Sequence, residues 1–200
     1  MHELTRDLLL DRFAGSPHLQ GKHSKLTERL LSGDLPPMRG GSTAAAYAAS
    51  SATIFAAPAA VHTLMNVISP AGHGLTLVEF GVSFDGVTAS AVPCLVELCQ
   101  STQAGAGTAG TSTAPVQIRG RATAGSAPTA GYNYTAEPTT LTRIKHWYVS
   151  PNGGLFIYPV PLGREVECDS SAGTIKSLCV RITPSATVNV AGYMEVEALG

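Results

Sequence analysis

From about residue 60 onward, apolar and polar residues alternate in short runs, and alternation places successive side chains on opposite faces of a strand. "AVHTLMNVIS" sets Val61, Thr63, Met65 and Val67 on one side and Leu64 and Ile68 near the other. "LTLVEFGVSF" follows, and Asp85-Gly86 closes it as a turn. In "VPCLVELCQS", Cys94, Val96 and Leu98 face one way and Leu95 and Glu97 the other. Strand-like runs continue in "LTRIKHWYVS", "GLFIYPVPLG", "EVECD", "IKSLCVRIT" and "TVNVAGYMEVEAL". The spacing predicts an all-β sandwich of about eight strands. In the last run a bulge is expected at Gly192, between Val188 and Val190 on one side and Met194 and Val196 on the other. The segments 101–115 and 122–140 are rich in Gly, Ala and Thr and lack periodicity, so they read as loops. Residues 44–60 read as an Ala-rich connector.

The first residues follow a different period. Leu4, Leu8, Leu9 and Phe13 recur at helical spacing, with Thr5 as a cap and Gly15-Ser16-Pro17 as a stop. A second short helix fits Ser24 to Gly33, with Leu26, Leu30 and Leu31 on one face. "GDLPPMRGGS" then reads as an extended linker. The chain thus divides into an arm, 1–44, and a β-domain, 45–200. Helices this short are marginal in water. They either pack on their own domain or find an apolar partner on another chain, and the second is the expectation.

In "KHWYVSPNGGLFIYPVPLG" the aromatic residues crowd around an Asn-Gly-Gly turn. His146 and Tyr148 share one face, Trp147 and Val149 the other. After the turn, Phe156, Tyr158 and Val160 oppose Leu155 and Ile157. Both faces of both strands are apolar or aromatic, whereas a sandwich strand needs only one such face. Either Pro159 and Pro161 bend the second strand inward, or the second face meets another subunit. The expectation is a subunit interface built on His146, Tyr148, Phe156 and Tyr158, and the resemblances given below imply that it joins a homotrimer.

Composition narrows the chemistry. At 200 residues the chain suits one domain with an appendage. The charged fraction is 14% and the net charge −1, so the basic footprint of a nucleic-acid binder is missing. Residues 1–13 carry too many charges for a secretory leader, and 44–60 are too weakly apolar to span a bilayer. Cys94 and Cys99 lie five apart and point to opposite faces of one strand. Buried free thiols are expected, with a Cys168–Cys179 bridge as the alternative. "AGAGTAG" lacks the Lys-Ser/Thr of a phosphate loop. His62, His73 and His146 show no ligand spacing, and no serine carries a nucleophile motif. Glu195 and Glu197 read as a solvated face. The expectation is a non-enzymatic protein without cofactor, metal, nucleic acid or membrane.

Two resemblances follow from these segments. "GGLFIYPVPLGREVECD" with the closing "VNVAGYMEVEAL" resembles the end of a tumour-necrosis-factor or C1q-type jelly roll, which implies a trimer around aromatic inner strands. "HTLMNVISPAGHGLTLVEFGVSFDG", "PCLVEL", "RIKHWYVSPNGGLFIYPVPLG" and "VNVAGYMEVE" are together similar to the head decoration, or cement, proteins of tailed phages. That implies a trimer on the outer surface of a virion head, with the major capsid protein as partner. The arm residues Leu4, Leu8, Leu9, Phe13, Leu26, Leu30 and Leu31 would then dock onto the capsid or a neighbouring trimer. The alternative is a tail or fibre module of the same fold that binds a cell-surface glycan through the loops 101–115 and 122–140.

Overall fold

Alternation decides where the core lies, and two bulges correct its phase. A computed structural model describes residues 45–87, 91–102, 107–120, 122, 125–161, 163–170 and 174–199. The expected arm helices, with Leu4, Leu8, Leu9, Phe13, Leu26, Leu30 and Leu31, lie outside the described residues.

The strands are β1 (Ala45–Ser50), β2 (Phe55–Ala57), β3 (His62–Ile68), β4 (Gly74–Phe84), β5 (Cys94–Thr102), β6 (Thr108–Thr113), β7 (Val116–Arg119), β8 (Thr129–Ala136), β9 (Leu141–Val149), β10 (Gly154–Pro159), β11 (Val166–Asp169), β12 (Lys176–Thr183) and β13 (Val188–Leu199). They form two sheets, one of seven strands in the order β10-β4-β13-β1-β7 and one of six in the order β6-β8-β3-β12-β5-β9. In the first, β11 continues the β10 edge along β4, and β2 continues β1 along β13. The fold is an all-β sandwich. Its core combines Leu75, Leu77, Phe80 and Val82 of β4 with Met194 and Val196 of β13, and Leu98, Leu178, Val180 and Ile182 from the other sheet.

The last strand keeps one apolar phase throughout: Val188, Val190, Met194, Val196 and Ala198 are all buried. The bulge expected at Gly192 is therefore not on β13. It lies on β4, where pairing steps from Glu195↔Glu79 to Val196↔Leu77 and leaves Val78 over. That extra residue lets both Leu77 and Phe80 face inward. A second bulge leaves Leu64 over on β3, between Val180↔Met65 and Arg181↔Thr63. Leu64, Met65 and Val67 consequently all join the core, while strict alternation had put Leu64 apart from the other two.

Thirteen strands among the described residues replace the expected eight or so. The Ala-rich connector is β1 and β2, and Ala45, Ala46, Tyr47 and Ala49 are buried. The two expected loops hold β6 and β8, and β7 lies between them. β6 is mostly exposed, and its place is fixed by backbone pairing with β8 rather than by apolar burial. Hence no hydrophobic period marks it. β8 adds the buried rings of Tyr132 and Tyr134.

Candidate interaction edge

β9 and β10 are the last strands of their sheets, on the same side of the sandwich, and the chain crosses from one sheet to the other between them. Gly153 and Gly154 take positive φ in that turn (86° and 127°), a backbone that side chains with a Cβ resist. The two strands bring their inward rings together. Trp147 lies 4.7 Å from Tyr158 and 5.4 Å from Phe156, and Phe80 of β4 lies 5.6 Å from Trp147. These tilted arrangements are the favoured ones for aromatic pairs. Lys145 also points inward. Its ammonium donates to the Tyr158 hydroxyl and sits 4.9 Å from the centre of that ring. The cluster plugs the side of the sandwich where β9 and β10 meet.

The outward side chains of the same strands are uncovered among the described residues. Tyr148 is 71% exposed, Leu155 61%, and Ile157 43%. His146 is exposed too, and its ring lies edge-on to Tyr148 at 6.4 Å. The four expected interface residues thus divide between two environments. Phe156 and Tyr158 are half-buried in the plug; His146 and Tyr148 face out from the six-stranded sheet. Leu155 and Ile157, left out of that set, face out from the seven-stranded sheet.

Behind β9, the outer face of the six-stranded sheet carries a polar row. Glu97 of β5 stands directly opposite His146 on one side and Arg181 on the other. Its carboxylate accepts from Arg181 Nε at 2.6 Å and from Arg143 Nη1 at 2.9 Å. Burial works to raise the Glu97 carboxyl, but the Arg181 and Arg143 hydrogen bonds outweigh it and hold the group below the ordinary carboxylate value. The next row sets Arg143, Cys99, Cys179 and Asn66 side by side. The alternation placed Glu97 outward correctly, but nothing in it revealed a buried ion pair. A single Glu and a single Arg within apolar strand runs were the available signal.

All four cysteines are buried and free. Cys168 lies in the core on β11, while Cys179 occupies the outer face of β12, so the alternative Cys168–Cys179 bridge is not formed. Burial pushes the Cys168 thiol up to about 11.

On the outer face of the seven-stranded sheet, Glu197 is buried and paired with Arg119 of β7. Expected on a solvated face, it is instead buried and held by an arginine of a strand that the sequence pattern missed. Further along the same face of β13, the Tyr193 ring lies over Gly81, whose hydrogen leaves the space, and its hydroxyl donates to Glu79. Burial and that carboxylate raise the Tyr193 phenol well above its ordinary value. Among the described residues, no group of three or more His, Cys, Asp or Glu is placed to hold a metal ion.

No family model matches the chain, and no curated protein matches it. Among solved structures it is similar to the infectious bursal virus derived T=1 particle at 13% identity, over 78% of this chain and 40% of that one, with a TM-score of 0.22. The infectious bursal disease virus VP2 subviral particle gives 13% identity over 77% of this chain and 41% of that one, with the same TM-score of 0.22. The chain spans about two-fifths of the length of these chains.

Proposed function

We propose that the protein is a non-enzymatic virion component, a trimeric decoration protein on the outer surface of a phage head that binds the major capsid protein and stabilises the shell. The observation that carries this reading is the division of the β9–β10 edge. Inward rings make the edge rigid, while Tyr148, Leu155 and Ile157 offer apolar contact on both outer sides of it. A rigid edge with exposed aromatic and aliphatic anchors costs little ordering when it meets a partner.

The sandwich is read as a jelly roll. Support comes from the wiring of eight strands, β10-β4-β13-β1 in one sheet and β3-β12-β5-β9 in the other. Followed along the chain, each step between these strands changes sheet except β5 to β9. Two four-stranded sheets traced in that way are the double Greek key of a jelly roll. β6, β7 and β8 are then an insertion between its fourth and fifth strands. The alternative glycan-binding module relied on two long loops, and each of them holds a strand, β6 in the first and β8 in the second.

In the assembly, the arm docks through Leu4, Leu8, Leu9, Phe13, Leu26, Leu30 and Leu31. Each apolar side chain buried there contributes roughly 1.5–3 kcal/mol before ordering costs. Repeated copies across a lattice multiply weak contacts by avidity. Two measurements test the reading. Light scattering on residues 45–200 should give three chains per particle, and the full chain should co-sediment with purified heads lacking it. A stable monomer removes the trimer, and binding to host cells but not to heads transfers the protein to the tail.

A further inference from the structure

We propose that Cys99 and Cys179 form a disulfide that staples β5 to β12 when the protein meets a low-molecular-weight disulfide oxidant. The two residues are directly opposite in the antiparallel ladder, Cys99↔Cys179, and both side chains leave the same, outer face of the sheet. Directly opposed residues have Cβ atoms about 4.5–5.5 Å apart, and a disulfide asks for about 3.5–4.5 Å, so a small local approach is sufficient. Both thiols are free and neither is exposed. Cys94 and Cys168 offer no such pairing. They lie in the core on different sheets, Cys94 beside Val149 and Cys168 beside Leu75.

The two thiols of the pair also differ chemically. Cys179 donates a hydrogen bond to Cys99, which lowers the Cys99 thiol below its ordinary value and raises that of Cys179. Burial and the Glu97 carboxylate oppose ionisation of Cys99, and the nearby Arg181 and Arg143 guanidinium groups favour it. Cys99 is therefore the attacking sulfur. Access comes through β9, an edge strand whose ladder is interrupted by a bulge where Leu98↔Lys145 gives way to Cys99↔Arg143. A local opening of that edge uncovers Cys99 without unfolding the sandwich.

The reaction balances as two thiol–disulfide exchanges. The Cys99 thiolate attacks one sulfur of the oxidant RS–SR, forms a mixed disulfide and expels RS⁻. Cys179 gives its proton to that leaving thiolate and attacks the Cys99 sulfur, expelling the second RS⁻, which is protonated by solvent in place of the proton Cys99 had released. Two cysteine thiols are oxidised and one RS–SR is reduced to two RSH. A protein that folds in a reducing compartment and is later released from it would acquire the bridge only after folding.

The test exposes the full reduced chain to oxidised glutathione at mildly alkaline pH, both in buffer and in urea below the unfolding midpoint. Two of the four thiols should disappear, and peptide mapping without reductant should find Cys99 joined to Cys179. Tm should rise by about 5 °C or more and return on adding dithiothreitol. Cys179→Ser should stop at one glutathione per chain, attached to Cys99. If that variant does not fold, mapping of the natural chain decides. Four free thiols in both solutions, a bridge between any other pair, or an unchanged Tm in the bridged protein would each overturn the proposal.

Discussion

Leu64 of β3 reaches across the sandwich into the space that a side chain at Gly192 of β13 would fill: a Cβ there would stand 2.1 Å from Leu64 Cδ2. The bulge on β3 turns Leu64 inward, and the glycine opposite makes room for it. Gly192→Ala should therefore destabilise the domain by about 1–3 kcal/mol through overpacking. Leu64→Ala alone should destabilise it by about 2–5 kcal/mol. Combined, the two should cost less than their sum, because each relieves the other's defect. Urea denaturation of the four proteins measures this; strict additivity would mean that Leu64 and Gly192 do not meet.

Glu97 links stability to acid. Its folded-state value lies below its ordinary value of 4.5, so the deprotonated form is favoured by folding. The resulting stabilisation is complete above the ordinary value and is lost as pH falls through the lowered one. Thermal melts between neutral and strongly acidic pH should show the natural chain losing more stability than Glu97→Gln in that window. At neutral pH the variant should be less stable by about 2–3 kcal/mol, less than for a fully buried pair because Arg143 is half exposed. Equal acid sensitivity of the two proteins would remove Glu97 from this role.

The two sides of the β9–β10 edge should separate in mutagenesis. Trp147→Ala opens the plug and should destabilise the fold by about 2–4 kcal/mol. Tyr148→Asp with Leu155→Asp changes only exposed side chains, so Tm should stay nearly constant while the oligomer dissociates in sedimentation. An intact trimer in the double variant would place the subunit contact elsewhere.

Deleting residues 1–39 tests the arm. Contacts separate Gly40–Gly200 as a unit by itself, so the β-domain should fold and oligomerise without them. Its binding to heads should weaken strongly, and Leu8→Asp with Leu30→Asp should do the same at full length. Head binding equal to that of the full chain would dismiss the arm as anchor. An unfolded truncation would assign the arm to the domain's own core.

Legibility tracked the kind of force that holds each element. Strands with one buried apolar face, such as β5 with Cys94, Val96 and Leu98, were readable because burial writes a period of two. The faces of β9 and β10 were readable for the same reason. β6 carries no such period because backbone pairing at an edge leaves little trace in side-chain type, and β1 buries alanines that resemble a connector. The phases of β3 and β4 shifted at Leu64 and Val78 because register is a property of two strands, and one sequence run shows only its own alternation. Glu197 was misplaced for a related reason: its ion-pair partner, Arg119, belongs to β7, distant in sequence. At the candidate edge, the aromatic enrichment was visible, but its split into a plug and an outer patch depends on which sheet each strand joins.

The pairing of Ala45 with Ala198 puts the entry and exit of the domain side by side at one end of the β1–β13 ladder. Its response to load therefore depends on where the load is applied. A pull between the two ends opens the ladder one hydrogen bond at a time, like a zipper. A pull on Ala45 alone, resisted by the body of the domain, slides β1 lengthwise and strains its bonds to β13 and to β7 together. A load entering through β1 along the strand is thus resisted by many bonds at once, while the same strand yields readily when both ends are drawn apart.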